Sequence, residues 1–257
     1  MAIIIKSPDE IAAMRQAGSI VASILRTLSK EIRTGMTTRQ LDDIAVRELA
    51  RYGATSSFKG YRGFPTTLCV SINDEVVHGI PGDRVICEGD IVSLDFGAII
   101  DGFHGDAAIT VGVGNISPKA KQLLETTKGS LEAGIAVAHP GAHLSDISAA
   151  IQHHAESRGF SVVREYTGHG IGREMHEEPQ IPNFGPPGRG PVLQKGMVLA
   201  IEPMVNIGGW ETKVKNNHWT VITADGSLSG HFEKTIAITD GEAEVLTAWD
   251  QPPIGIP

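Results

Sequence analysis

Polar and apolar positions follow two different periods along the chain, and the switches between them mark the elements. From Ser7 to Ile32 the apolar residues Ile11, Met14, Ile20, Val21, Ile24 and Leu25 recur at helical spacing. Ser7 can cap this helix, Pro8 suits its first position, and Glu10 completes a capping box. The same logic predicts a second helix from Thr38 to Tyr52, with Thr37 and Gln40 as the box and Gly53 at the C-terminal cap. A third helix starts at Ser117-Pro118, and a fourth lies between His143 and Arg158 and ends at Gly159. Strand-like segments follow each helix pair, and no low-complexity linker separates the halves.

Residues 93–111, SLDFGAIIDGFHGDAAITV, switch to a period of two. Asp101-Gly102 is a strong two-residue hairpin signal. With those residues in the turn, Ile100 faces Phe103 and Gly97 faces Asp106. One face of the hairpin then carries Leu94, Phe96, Ala98, Ile100, Phe103, Ala107, Ile109 and Val111. The other carries Asp95, His104, Asp106 and Thr110. Asp95 and Asp106 sit one diagonal step apart, roughly 7–8 Å between backbones. Like charges that close repel unless a cation intervenes; two solvated aspartates on an open surface hairpin are the plainer alternative.

The pattern also repeats. GMTTRQLDDIAVRELARYG (35–53) aligns with GAHLSDISAAIQHHAESRG (141–159) at an offset of 106, and EGDIVSLD (88–95) aligns with KGMVLAIE (195–202) at 107. Asp95 thus stands opposite Glu202, each expected at the end of an apolar strand. Two copies of helix–helix–strands predict a pseudo-twofold α+β architecture in a single domain, with halves of about 1–115 and 116–257 and acidic strand ends converging at the centre.

Composition narrows the function classes. A chain of 257 residues can bury a sizeable core, and 41% hydrophobic with 20% charged residues is an ordinary enzyme-like balance. A net charge of −8 argues against a general nucleic-acid binder. Cys69 and Cys87 make neither a disulfide framework nor a metal motif. MAIIIKSPDE has too short an apolar run for a signal peptide, and no run reaches membrane-spanning length. A cytoplasmic location is the expectation.

Asp95 and Asp106 are joined by three further candidates. His169 stands among glycines in TGHGIGREMHEEP (167–179), Glu202 ends the apolar VLAIEPM (198–204), and Glu233 heads the β-type GHFEKTIAIT (230–239). A carboxylate on an apolar strand needs a partner, because an unpaired buried charge is prohibitively costly. Four acids and one neutral imidazole would be balanced by two divalent cations, and mostly oxygen ligands suit manganese, iron, cobalt or zinc. Paired metals can activate a water and polarise a carbonyl. Each residue also has an ordinary reading: Glu233 could pair with Lys234, Glu202 could act as a cap before Pro203, and His169 could be a hydrogen-bonded loop histidine. HEEP at 176 is not the zinc-helix motif, and Pro179 argues against a helix there.

Taken together, SINDEVVHGIP (71–81), DFGAIIDGFHGDAAITVGVG (95–114), GHGIGREMHEEP (168–179), IEPMVN (201–206) and HFEKTI (231–236) resemble the type I methionine aminopeptidases over nearly the whole chain. The resemblance implies the pita-bread fold, a central curved antiparallel sheet flanked by two helix pairs. It implies an enzyme, usually monomeric, that takes the N-terminal methionine from nascent chains near the ribosome exit tunnel when the second residue is small. It further implies that Asp95, Asp106, His169, Glu202 and Glu233 hold two divalent metal ions, Asp106 and Glu233 bridging them. Glu202 is then the proton shuttle, and His78 and His176 contact the scissile amide. A methionine pocket is implied around Tyr61, Phe64, Cys69, His78 and Trp219, which suits a flexible thioether. Met175 stands where the family often has an aromatic residue, and Phe58 where it often has a smaller one. Prolidases, non-catalytic binding proteins and metal-free hydrolases share the fold. Prolidases usually carry a large extra N-terminal domain, and the other two lack the full ligand set.

Overall fold

The computed structural model describes residues 2–248, so the extreme ends of the 1–257 span lie outside it. Four helices carry the predicted signals: α1 (Pro8–Glu31), α2 (Thr38–Arg51), α3 (Pro118–Ala136) and α4 (Leu144–Glu156). Both expected capping boxes form. The Ser7 hydroxyl accepts the Glu10 N–H at 3.2 Å while the Glu10 carboxylate accepts the Ser7 N–H at 3.0 Å. Thr37 and Gln40 repeat the exchange on α2. Gly53 follows α2 with φ +64°, a conformation that costs glycine little.

The strands of the first half are β1 (Thr55–Ser56), β2 (Cys69–Ile72), β3 (Glu75–Val77), β4 (Ile91–Ile100) and β5 (Phe103–Gly112). Those of the second are β6 (Ser161–Val162), β7 (Thr167–Gly170), β8 (Glu177–Pro182), β9 (Val198–Ile201) and β10 (Met204–Asn206), then β11 (Thr212–Val214), β12 (Val221–Thr223), β13 (Ser229–His231), β14 (Glu233–Ala237) and β15 (Glu244–Val245). A nine-stranded sheet runs β1-β4-β5-β14-β9-β7-β8, with β2 added on β4 and β15 on β14. All its pairings are antiparallel. Two three-stranded sheets, β13-β10-β6 and β11-β12-β3, flank it.

The hairpin forms in the expected register, with Ile100 opposite Phe103 and Gly97 opposite Asp106. Its surroundings differ from an open surface: His104, Asp106, Ala108 and Thr110 are all buried, so both faces of β5 are covered. Helix α1 covers one face closely enough that a Cβ on Gly105 would lie 2.7 Å from the Gly18 nitrogen. Ile24, Leu25, Leu28, Leu94 and Phe96 are fully buried in this core, each contributing ~1.5–3 kcal/mol. One expectation needs correction. Asp95 lies mid-strand, because β4 continues to the turn at Asp101, whereas Glu202 does follow the last residue of β9. Pro203 has no N–H to extend that ladder.

The repeat extends to individual hydrogen bonds. Gly35 N–H donates to the Ile86 carbonyl, and Gly141 N–H donates to that of Leu193. Ile86 N–H returns a bond to Met36, as Leu193 does to Ala142. The isolated bridges Thr37–Val85 and His143–Val192 complete the parallel. These partners stand at the same offsets of 106 and 107 as the sequence echo.

Candidate active site

Three adjacent strands carry the first three acids. Ala108 on β5 pairs with Asp95 on one side and with Glu233 on the other. Asp106 lies two residues along β5 from Ala108 and projects from the same face. The other two candidates arrive by way of β9. Ala200 pairs with His169 of β7 and with Thr235 of β14, and Glu202 follows Ala200 by two. Strand pairing thus gathers side chains from positions 95 to 233 onto one face, and the alanines between them leave room above it.

Asp106, His169 and Glu233 offer ligand atoms that all lie within 4.8 Å of one another. His169 Nε2 is 3.8 Å from Asp106 Oδ2 and 3.7 Å from Glu202 Oε1. His169 Nδ1 is 2.9 Å from the Gly170 carbonyl, which can only accept. Nδ1 therefore carries the proton, and Nε2 turns its lone pair to the acids. Burial pulls the imidazole down to about 3, so it is neutral at neutral pH.

Among the described residues the four acids outweigh the positive charge beside them. Burial, reinforced by neighbouring carboxylates, pushes Asp95, Asp106 and Glu233 well above the carboxylate range. Burial pushes Glu202, its side chain 15% exposed, up to about 8. Asp95 Oδ1, Asp106 Oδ1 and Glu233 Oε1 are buried without a hydrogen-bond partner. Such orphaned oxygens cost ~1–3 kcal/mol each, more when charged. Converging unpaired oxygens beside a free imidazole lone pair fit a divalent cation, which would supply each with the partner it lacks.

All five side chains line a cavity of about 160 Å³ together with Tyr61, Phe64, Cys69, His78, His176 and Trp219. Phe64 and Trp219 meet edge to face at 5.1 Å, and Trp219 stands edge-on to His78 at 6.5 Å. His78 adopts φ +59°, rare for a residue with a side chain and a common mark of functional positions. The Tyr61 hydroxyl lies 2.8 Å from His176 Nδ1, and the His176 ring sits 4.2 Å from that of His169. Phe58 and Met175 complete the apolar wall.

The sequence pattern of metallopeptidase family M24 matches residues 12–240. The chain belongs to metallopeptidase family M24. It is 54% identical over 245 residues to methionine aminopeptidase 1 of Bacillus subtilis, covering 95% of this chain and 99% of that protein. The crystal structure of the Thermotoga maritima methionine aminopeptidase superposes with a TM-score of 0.95 at 48% identity, covering 96% and 99% of the two chains. Prolidase from Pyrococcus furiosus shares the fold, with a TM-score of 0.77 at 24% identity; the chain spans 66% of its length. M24 enzymes are metallopeptidases, and the buried Asp106–His169–Glu233 group is a place where this one could hold its metal.

Sequence reasoning passed over His231 and Tyr166 beside this cluster, and Arg62 on the cavity wall. His231 is buried with Nε2 3.6 Å from Glu202 Oε2. Tyr166 meets the His78 ring edge-on at 5.8 Å. The two-residue spacing from His231 to Glu233 was a readable signal, since extended residues at i and i+2 share a face. Nothing local marks Tyr166.

Proposed function

We propose that this M24 chain is a methionine aminopeptidase that removes the N-terminal methionine from nascent proteins and peptides whose second residue is small. The observation that carries the reading is the meeting, on one cavity, of five convergent donors and an apolar wall sized for one side chain. Asp95, Asp106, His169, Glu202 and Glu233 hold two divalent ions, of manganese, iron, cobalt or zinc. Such a pair supplies a nucleophile at neutral pH and an electrophile for the scissile carbonyl.

The chain's own residues do the remainder. Glu202 takes a proton from the attacking water at its carboxylate and passes it to the leaving amine. Tyr61, donating its hydroxyl to His176 Nδ1, holds the His176 proton on Nε2, where it meets the substrate's carbonyl oxygen. Burial pulls His78 down to about 4, so it works as a neutral hydrogen-bond partner of the scissile amide. Phe64, Cys69 and Trp219 exclude water from the methionine side chain. The two helix–helix–strand halves, about 1–115 and 116–257, form one catalytic domain with the site between them. Its substrates are the N-termini of chains leaving the ribosome, in the cytoplasm.

The test is a methionine-release assay on the metal-loaded chain with Met-Ala-Ser and an X-Pro peptide. Free methionine from the first supports the reading. An intact Met-Ala-Ser with a cleaved X-Pro peptide overturns it in favour of a prolidase.

A further inference from the structure

His231 has no part in the mechanism above, yet it is 1% exposed and both its ring nitrogens lack a hydrogen-bond partner. A native interior seldom leaves an imidazole so placed, because a buried polar atom without a partner has given up its water for nothing. The backbone fixes where the ring stands. The His231 N–H donates to Thr110 Oγ1 at 2.9 Å, and the His231 carbonyl accepts from the same hydroxyl at 2.8 Å. Its strand pairs His231 with Met204, two residues past Glu202. The Phe232 N–H donates to the Pro203 carbonyl at 3.3 Å. The loop leaving β9 and the end of β13 are thus stitched together, and they bring His231 Nε2 to 3.6 Å from Glu202 Oε2. The other oxygen of that carboxylate, Oε1, is the one beside His169 Nε2, at 3.7 Å.

We infer that His231 is a positioning residue for Glu202: its Nε2–H donates to Oε2 and turns Oε1 toward the metal. This rests on the reading of Glu202 as a ligand. The separation is a few tenths of an ångström beyond a hydrogen bond, a gap that a small side-chain rotation closes. A carboxylate ligand held by a neighbouring donor binds metal in one orientation instead of several, and loss of such a donor weakens binding ~10–100-fold.

The experiment is calorimetric titration of Mn²⁺ into the metal-stripped chain, with three variants and thermal melts of each. His231→Leu keeps the volume and removes the donor; His231→Gln restores one. The expected result is Mn²⁺ binding weakened ~10–100-fold in His231→Leu and largely recovered in His231→Gln. The metal-free melting temperature of His231→Leu should stay near the parent's, because at 3.6 Å the imidazole makes no hydrogen bond to Glu202 that its removal would break. Parental Mn²⁺ affinity in His231→Leu overturns the inference, as does a His231→Gln variant no tighter than His231→Leu. If His231→Leu does not fold, His231→Asn replaces it, since its amide stops one methylene short; equal affinity of Asn and Gln variants then overturns the inference. Glu202→Ala separates the two readings. If it binds Mn²⁺ as tightly as the parent, the assignment of Glu202 as ligand falls and takes this inference with it. If it binds weakly while His231→Leu matches the parent, only the role of His231 fails.

Discussion

The ammonium of Lys6 and the carboxylate of Glu177, 171 positions apart, form an ion pair whose side chains are only 3% and 5% exposed. Lys6 is held in turn by its N–H on the Gly196 carbonyl at 2.8 Å. Glu177 also accepts the Glu174 N–H at 3.3 Å, so the pair braces the turn that ends in His176. Packing leaves no slack there: a Cβ on Gly172 would lie 2.6 Å from Lys6 Cε. Lys6→Met therefore strands a buried carboxylate and should cost ~3–5 kcal/mol of unfolding free energy. Urea denaturation of Lys6→Met, Glu177→Leu and the double variant measures the coupling. The double variant should be more stable than the sum of the single losses allows, and strict additivity would contradict the brace.

The Tyr61–His176 bond predicts a catalytic effect without a structural one. Tyr61→Phe removes the hydroxyl 2.8 Å from Nδ1 but keeps the ring stacked on the imidazole. With the tautomer no longer held, kcat should fall roughly 3- to 10-fold, the worth of one ordinary hydrogen bond. The melting temperature should stay near the parent's. Steady-state kinetics on Met-Ala-Ser reads this directly, and an unchanged kcat would free His176 from Tyr61.

Both cases bear on what a linear sequence reveals. The helix starts were legible because a capping box is local chemistry: Ser7 with Glu10, and Thr37 with Gln40. The hairpin was legible because Asp101-Gly102 favours a two-residue turn and alternation assigns the faces. The four candidate acids were legible because carboxylates on apolar strands violate the pattern around them, and His169 because it stands among glycines. By contrast, Lys6 and Glu177 look like ordinary polar residues, and only the third dimension makes them a pair. His231 was hidden for another reason. Two residues before Glu233 it reads as part of a motif; the spacing puts it on that face, but its fault, two unpaired nitrogens, is visible only once every neighbour is in place. The strand-end position expected for Asp95 came from aligning it with Glu202 in the repeat, whereas the hairpin register, which carries the strand on to the turn at Asp101, already pointed to a mid-strand position.

Glu202→Gln keeps the shape of the side chain and removes its charge and its basicity. If Glu202 carries the proton, turnover should fall ~10²–10⁴-fold. The metal-stripped variant should melt no lower than the parent at neutral pH, because burial already opposes the charge that Gln lacks. Retained turnover would assign the proton to another group.

Trp219 packs edge-on against both Phe64 and His78 at the pocket wall. Trp219→Ala opens that wall, which the proposed reading assigns to the methionine side chain. KM for Met-Ala-Ser should rise, since a pocket contact of this kind is worth ~1–3 kcal/mol, or about 5- to 150-fold at 1.4 kcal/mol per decade. Discrimination against Leu-Ala-Ser should weaken in parallel. Competition assays with the two peptides measure both, and an unaltered selectivity would place the methionine side chain elsewhere.

The acid cluster predicts how the metal-stripped chain responds to pH. The carboxyls have folded-state values raised above their unfolded ones, so the folded chain binds more protons and their contribution is lost as pH rises. His169, His78 and His176, lowered to about 3, about 4 and about 4, act oppositely, but mainly below their unfolded value of about 6.5. From pH 7 upward these histidines are largely neutral in either state. Lys234, which burial pulls down to about 7, also works against the trend, one proton set against those of four acids. Between pH 7 and pH 8, where Glu202 gives up its proton, the metal-free chain should therefore lose stability. Cations would hold the carboxylates ionised and abolish the loss, so the stabilisation from added Mn²⁺ should be greater at pH 8 than at pH 7. Urea midpoints at the two pH values, in chelator and in Mn²⁺, make the comparison. A metal-free chain that gained stability over this interval would show that the acids are already balanced by groups within the protein.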